Sequence, residues 1–179
     1  MELTAALFDL CKASTRPIIA IDGPAGAGKT TLAEHLSAAL SLKYKLVIIH
    51  MDDLYNGWDH PFDHHLTEAL LQIAKSHQAG KRATISRFDW HANEYKAAEE
   101  LPPADVLILE GVGSSQSSIR SMLTATLWLE IDRNVGLARV LERDGIGNSE
   151  AMNKWLLLQE AHFAAEGSQD AADFILSTS

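Results

Sequence analysis

The sequence predicts a single α/β domain, a three-layer sandwich with a mostly parallel central sheet and helices on both faces. Three observations carry that reading. Short segments such as "IIAID" (18–22), "KLVIIHM" (45–51), "VLIL" (106–109) and "ATLWLEI" (125–131) are almost uniformly apolar, as strands covered on both sides must be. Stretches with helical spacing separate them, as parallel neighbours require. A glycine-rich turn, "GPAGAGKT" (23–30), joins the first of these strands to a helical pattern.

Taken in order, "MELTAALFDLCKASTRP" reads as a short amphipathic helix, a 1–16 extension that Pro17 ends. Residues 18–22 form the first strand, and Leu32, Leu36, Ala39 and Leu40 then recur at helical spacing. Residues 45–51 are the second strand. The segment "DDLYNGWDHPFDHH" carries Asn-Gly and a proline and reads as a loop, about 52–65. A helix over Leu66–His77 closes at Gly80. "RATISRF" (82–88) alternates like a strand, with connection following over about 88–100. Strands at 105–112 and 125–131 flank a helix at 117–123. Helices at 135–143 and 150–165 and a last strand at 172–178 complete the chain. No internal repeat or linker interrupts it, so residues 1–179 read as one domain.

Bulk properties narrow the partners. A chain of 179 residues can bury a core without metal or disulfide support. A net charge of −9 disfavours nucleic acid, whose affinity comes largely from Lys and Arg. No apolar run approaches the ~18 residues of a membrane span. The single cysteine, Cys11, has no partner for an internal disulfide. Together with an N-terminus that is acidic where a signal peptide is basic, this points to the cytoplasm.

The turn at 23–30 fits G-x-x-x-x-G-K-[ST] at every specified position. Small residues let successive N–H groups converge on phosphate oxygens, and the helix that follows adds its positive end. Gly23, Ala25, Gly26, Ala27, Gly28, Lys29, Thr30 and Thr31 are the candidate nucleotide contacts. Lys29 reaches the β- and γ-phosphates and the Thr30 hydroxyl ligates Mg²⁺. A base-reading Asn-Lys-x-Asp is missing, because Asn153-Lys154 runs into Trp155-Leu156; ATP is therefore the expected donor. Asp52 and Asp53 stand just past the second strand, where ligands collect in an open α/β sheet. Transfer to a hydroxyl needs a carboxylate there to orient it and take its proton. Glu110, at the end of "VLIL", can hold Mg²⁺ or its waters opposite Thr30. Arg139 and Arg143 lie four apart on one helix face and can meet one anion.

These stretches resemble the uridine kinase branch of the P-loop phosphotransferases, from about residue 18 to about residue 178. "DDLY" is similar to that family's strand-end signature, which implies Asp52 as catalytic base, associated with Mg²⁺ partly through water. "WDHP" implies Asp59 as a ribose contact. "FDWH" places Phe88 against the acceptor, with His91 nearby, and Tyr55 of "DDLY" joins the acceptor set. "PADVLILEGV" implies Glu110 near Mg²⁺, and "IDRNVGLARVLERD" implies Arg139 and Arg143 as phosphate-gripping residues beside a short lid over about 139–150. Four features depart from the family: only "LYNGW" separates Asp53 from Asp59 where a longer insertion is usual, Gly136 stands where an arginine is common, no further arginines follow Arg143 in "DGIGNSEA", and the base-reading histidine has no counterpart at about Asn93, with His91 nearby. The implied activity is ATP-dependent phosphorylation of a small-molecule hydroxyl, most naturally a uridine- or cytidine-type nucleoside, by an enzyme whose relatives are often homo-oligomers. Two alternatives stay open. One is another acceptor (a sugar, a vitamin-like nucleoside, or a nucleoside monophosphate gripped by Arg82, Arg87 or Arg120). The other is an ATP-binding regulatory module with no acceptor.

The histidines His60, His64 and His65 beside Asp59 and Asp63 suggest a metal site, but Pro61 breaks the helix that would align them. Trp58 and Trp90 flank the acceptor loops and can stack on a planar ring.

Overall fold

The computed structural model describes residues 3–145 and 149–178. Helix α1 (Leu3–Ala13) precedes strand β1 (Ile18–Asp22), helix α2 (Lys29–Leu40) and strand β2 (Leu46–His50). After a 3-10 turn at Met51–Asp53 comes α3 (His64–Gln78), then the short strands β3 (Ala83–Ile85), β4 (Phe88–Asp89), β5 (Glu94–Tyr95) and β6 (Glu99–Leu101). Strand β7 (Val106–Glu110), helix α4 (Ser117–Arg120), strand β8 (Ala125–Glu130), helices α5 (Arg133–Asp144) and α6 (Ser149–Glu166) and strand β9 (Phe174–Ser177) finish it.

The central sheet runs β2-β7-β1-β8-β9, every neighbouring pair parallel. Successive residues of a strand face opposite sides, and the two cores follow that alternation. Ile18, Leu107 and Leu109 join Leu66, Leu70 and Trp155 of α3 and α6 on one face. Ile19, Ile21, Ile108 and Leu127 join Leu36 and Leu40 of α2 on the other. The opening helix is part of this second layer, since Leu7 and Cys11 of α1 are buried in it. The sandwich is thus three layers deep, as the apolar strands predict.

One predicted strand is corrected. Residues 82–88 do not form a single strand and do not join the central sheet. They split into β3, which pairs antiparallel with β6, and β4, which pairs antiparallel with β5. Alternation there reflects a half-covered ribbon: Ala83 and Ile85 are buried while Thr84 is exposed. The connection expected at 88–100 therefore holds the small β4–β5 ribbon, which lies against the turn after β2, and strand β6, which pairs with β3 beside α3. The lid expected at 139–150 includes residues 146–148, which lie outside the described residues. Among the described residues no helix is long and apolar enough to cross a membrane.

Candidate functional site

The carboxyl ends of β1, β2 and β7 meet in one crevice, and the sheet register sets who meets whom. β1 delivers the glycine-rich turn, and β7 brings Glu110 beside it through the pairing of Ile21 with Glu110. β2 brings His50 directly opposite Glu110 and carries Asp52 on the turn that follows.

The turn itself is held from below by Asp22. This buried carboxylate accepts from the backbone N–H groups of Gly23 (2.8 Å), Gly113 (3.0 Å) and Ser115 (3.0 Å) and from the Ser115 hydroxyl (2.6 Å). It therefore ties the start of the cradle to the loop that follows Glu110, a structural role that its position at the end of β1 allows. Gln159 of α6, also buried, accepts from the Ala25 N–H at 3.1 Å. Gly28 adopts the left-handed conformation (φ 85°, ψ 23°) as the N-cap of α2 and offers no side chain to cap it. The first-turn N–H groups of that helix, from Lys29, Thr30 and Thr31, are thus left for an anion, as phosphate requires. Ala27 is buried beneath the cradle, and Thr31 lies on the exposed side of the helix.

Lys29 is buried and donates to the carbonyls of Gly23 and Pro24, both at 2.8 Å, across the mouth of the turn. Burial pulls its ammonium below the ordinary lysine range, while Asp22, Asp52 and Glu110 push back. The Thr30 hydroxyl donates to Glu110 Oε1 at 3.2 Å, and the same oxygen contacts His50 Nδ1. A hydroxyl and a carboxylate side by side at the phosphate end are the hard oxygen donors Mg²⁺ prefers, so these residues fit the ion.

Asp52 stands beside this group. Protein packed around it pushes its carboxyl above the ordinary value, Lys29 opposes that shift, and Glu110 adds to it. The side chain is nevertheless open to water at the crevice mouth, which tempers the burial effect. Arg143 acts on the same carboxylates from α5. Its guanidinium is bidentate to Asp144, at 2.7 Å for both bonds, which holds its pKa up, with smaller contributions from Asp52 and Glu110. Arg139, one turn earlier, donates to the Gly26 carbonyl at 3.4 Å. The cradle and both arginines therefore share one side of the crevice.

Gly136 explains its own departure from the family pattern. A Cβ there would lie 2.7 Å from the Ala25 carbonyl oxygen, and one on Gly26 would lie 2.3 Å from the Gly136 carbonyl oxygen. Helix α5 packs backbone to backbone against the glycine-rich turn, so no arginine fits at 136 in this arrangement.

The expected acceptor residues divide. Tyr55 is corrected: its ring is fully buried, edge-on to Phe62 and Trp155, and its hydroxyl donates to the Val112 carbonyl at 2.8 Å. It supports the loop from the core side and does not reach an acceptor. Phe88 is buried between Trp90 and Tyr95. Asp59 is exposed and ion-paired with Lys154 of α6, and His91 is exposed on the β4–β5 turn. Trp90 touches the backbone of the proposed base: its indole N–H donates to the Asp52 carbonyl at 3.0 Å, and its ring meets Trp58 edge-on at 5.3 Å. Each of the three arginines offered as an anion grip is already engaged. Arg87 bridges Asp53 and Glu99, Arg82 pairs with Glu100 at 3.3 Å, and Arg120 donates to the Ser115 and Glu166 carbonyls at 3.1 and 2.8 Å. The histidine loop is likewise dispersed: His64 meets Glu68 at 2.9 Å, and His65 packs on Tyr95. Among the described residues no cluster of three or more His, Cys, Asp or Glu could hold a metal.

A second opening borders the cradle. A groove of about 500 Å³ is lined by Pro24 of the turn, Ile131 and Asp132 after β8, and Ser177 and Thr178 at the end of β9. Thr178 donates to the Ala27 carbonyl at 3.2 Å, which fastens the last strand to the cradle.

Sequence reasoning missed His50, Gln159 and Ser115. Only parallel-sheet register or a 134-residue separation, as between Ala25 and Gln159, brings them to the crevice. His50 alone left a signal, as a polar residue inside an apolar strand.

Comparison with known proteins places the chain in a family. The model of the AAA domain matches residues 19–154. Uridine kinase-like protein 4 of Arabidopsis thaliana is 27% identical over 90% of this chain, and the match covers 36% of that protein, so the chain spans about a third of it. Uridine kinase of Lactobacillus helveticus is 28% identical over 71% of this chain and 67% of its own length. A "possible uridine kinase" of Bacillus stearothermophilus superposes with a TM-score of 0.65 at 20% identity, over 98% of this chain and 100% of that one. D-glycerate 3-kinase of Cryptococcus neoformans var. grubii does so with a TM-score of 0.59 at 14% identity, over 99% and 96%. At those identities the structures speak for the shared fold. The sequence relatives bear out the uridine kinase-like resemblance, and with the model match over most of its length the chain belongs to the AAA-domain family of P-loop proteins, on its uridine kinase-like side.

Proposed function

We propose that this protein is an ATP-dependent kinase that transfers the γ-phosphoryl group to a hydroxyl of a small molecule, a uridine- or cytidine-type nucleoside being the favoured acceptor. The observation that carries the reading is the convergence of Asp52 after β2, Glu110 at the end of β7 and Lys29 at the start of α2 beside a phosphate cradle. A protein that only sensed ATP would need the cradle and not a carboxylate open to an acceptor.

In this reading the turn at 23–30 and the first N–H groups of α2 bind the donor's phosphates, and the groove at Pro24, Ile131 and Thr178 accepts its base and ribose. Thr30 and Glu110 would hold Mg²⁺, and Asp52 would associate with it through water. When bound, the ion neutralises phosphate charge and orients the donor. Asp52 accepts the hydroxyl proton as the acceptor oxygen bonds to the γ-phosphorus, and the bond from that phosphorus to the β,γ-bridging oxygen breaks, its electron pair leaving with ADP. Lys29, Arg139 and Arg143 face the charge that spreads over the transferring oxygens. Trp90 and Trp58 form an aromatic wall next to Asp52, with Phe88 behind it and Asp59 and His91 on the loops around it.

The names of the sequence relatives support the nucleoside. The test is ATP consumption across a panel of nucleosides, nucleotides and sugars, with Lys29→Ala as blank. An acceptor-dependent rate with uridine or cytidine is expected. Asp52→Asn should then lower turnover by 10²–10⁴-fold, roughly 2.7–5.4 kcal/mol of barrier, with nucleotide affinity kept. ATP hydrolysis indifferent to every acceptor and to Asp52→Asn would instead identify a regulatory module.

A further inference from the structure

We propose that His50 is a positioning residue for the Glu110 carboxylate, fixing which of its oxygens faces the Mg²⁺ of the donor. The inference rests on the reading that Glu110 serves that ion.

Three independent facts converge on it. First, backbone register makes the pair: in the parallel ladder of β2 and β7, His50 stands directly opposite Glu110. Second, the contact is specific to one oxygen. His50 Nδ1 meets Glu110 Oε1, and the Thr30 hydroxyl donates to the same atom at 3.2 Å. No hydrogen bond from the described residues reaches Oε2, so two donors hold one oxygen and leave the other to turn toward the crevice. Third, the environment makes the contact matter. The Glu110 side chain is only 7% exposed while that of His50 is 42% exposed. Water therefore has little access with which to orient the carboxylate, and the imidazole at the sheet edge does so instead.

The chemistry follows. A buried carboxylate left with one hydrogen bond can rotate about its last torsion, and an ion that demands near-ideal octahedral placement loses affinity when a ligand wanders. A ring N–H aimed at Oε1 suppresses that rotation and fixes the imidazole's own tautomer, with the hydrogen on Nδ1. Such supporting hydrogen bonds are worth 10–100-fold in metal affinity where they have been removed. The strand pattern agrees: four apolar residues, "LVII", precede a histidine at the position where β2 reaches the crevice.

His50→Leu keeps the bulk and removes the donor, whereas His50→Asn keeps an N–H close to the place of Nδ1. Mn²⁺ binding to the protein with a non-hydrolysable ATP analogue, read from the electron paramagnetic resonance signal of free Mn²⁺, measures the effect apart from turnover. His50→Leu should weaken Mn²⁺ by about 10-fold or more, leave metal-free nucleotide affinity and the melting temperature close to the parent, and raise the Mg²⁺ concentration needed for half-maximal rate. His50→Asn should recover most of the loss. If Glu110→Gln weakens Mn²⁺ and His50→Leu leaves it within 2-fold of the parent, the positioning role is refuted while the reading of Glu110 stands. If His50→Asn is as weak as His50→Leu, the donor is not what matters and the proposal fails. If Glu110→Gln itself leaves Mn²⁺ affinity unchanged, the reading of Glu110 fails and takes this inference with it.

Discussion

Asp22→Ala isolates what holds the phosphate cradle in place. The Asp22 carboxylate is fully buried and accepts four hydrogen bonds, three from backbone N–H groups and one from the Ser115 hydroxyl. Truncation leaves those donors without an acceptor in a site closed to bulk water. At the lower end of the ~1–3 kcal/mol cost of a buried unsatisfied polar group, four donors amount to about 4 kcal/mol. Against a whole-domain stability of roughly 5–15 kcal/mol, that is a quarter or more. For a chain of this length each kcal/mol moves the melting temperature by ~2–4 °C, so a fall of about 8–16 °C is expected. Asp22→Asn keeps one acceptor oxygen for two of the donors and turns an amide N–H₂ toward Ser115, whose hydroxyl can rotate to accept. It should cost about 1–2 kcal/mol. Urea unfolding with tryptophan fluorescence gives the stabilities, and a nucleotide titration at a temperature where both variants stay folded gives the second readout. Because Asp22 joins Gly23 to Gly113 and Ser115, the Ala variant should also bind nucleotide more weakly. A melting temperature within about 2 °C of the parent, or Asn and Ala variants alike in stability, would refute the hydrogen-bond argument.

Two further outcomes follow from the packing. In a helix interior Gly136→Ala should gain ~0.8–1.0 kcal/mol from propensity. Its Cβ would sit 2.7 Å from the Ala25 carbonyl oxygen, however, and overpacking costs ~1–3 kcal/mol. The variant should thus be less stable by about 1 kcal/mol and bind nucleotide more weakly; greater stability with unchanged affinity would show that the two backbones can separate freely. Burial holds the His77 imidazole below its ordinary value of 6.5, against the opposing pull of the Pro17 carbonyl. The unfolded chain then binds the proton more readily, so this contribution to stability is complete above the ordinary value and is lost as pH falls below it. Urea midpoints measured down through that window should decline less steeply in His77→Gln than in the parent; equal slopes would exclude His77 as a source.

Much of the fold was written locally. Apolar runs at 18–22, 106–109 and 125–131 named buried strands, because only a strand covered on both faces needs no polar alternation. The turn at 23–30 named its ligand class, since the small residues and the lysine act within one turn of backbone. Residues 82–88 misled for the same local reason. A strand in a two-stranded ribbon and one at the edge of a large sheet show the same alternation, and only their partners differ. Tyr55 misled because a residue next to a functional loop can face either side of it, and sequence spacing does not say which.

What the sequence by itself determined, then, is the chemistry that contiguous residues perform together: a phosphate cradle, a run of buried strands, a carboxylate at each of two strand ends. Tertiary structure decided everything that depends on register and on close approach. It placed His50 opposite Glu110, gave Asp22 its four donors from two separate loops, and set Gly136 against Gly26 with no room for a side chain. It also occupied the three candidate arginines with local partners. Those relations join residues far apart along the chain, and the hydrogen bonds and contacts that define them exist only once the sheet is assembled.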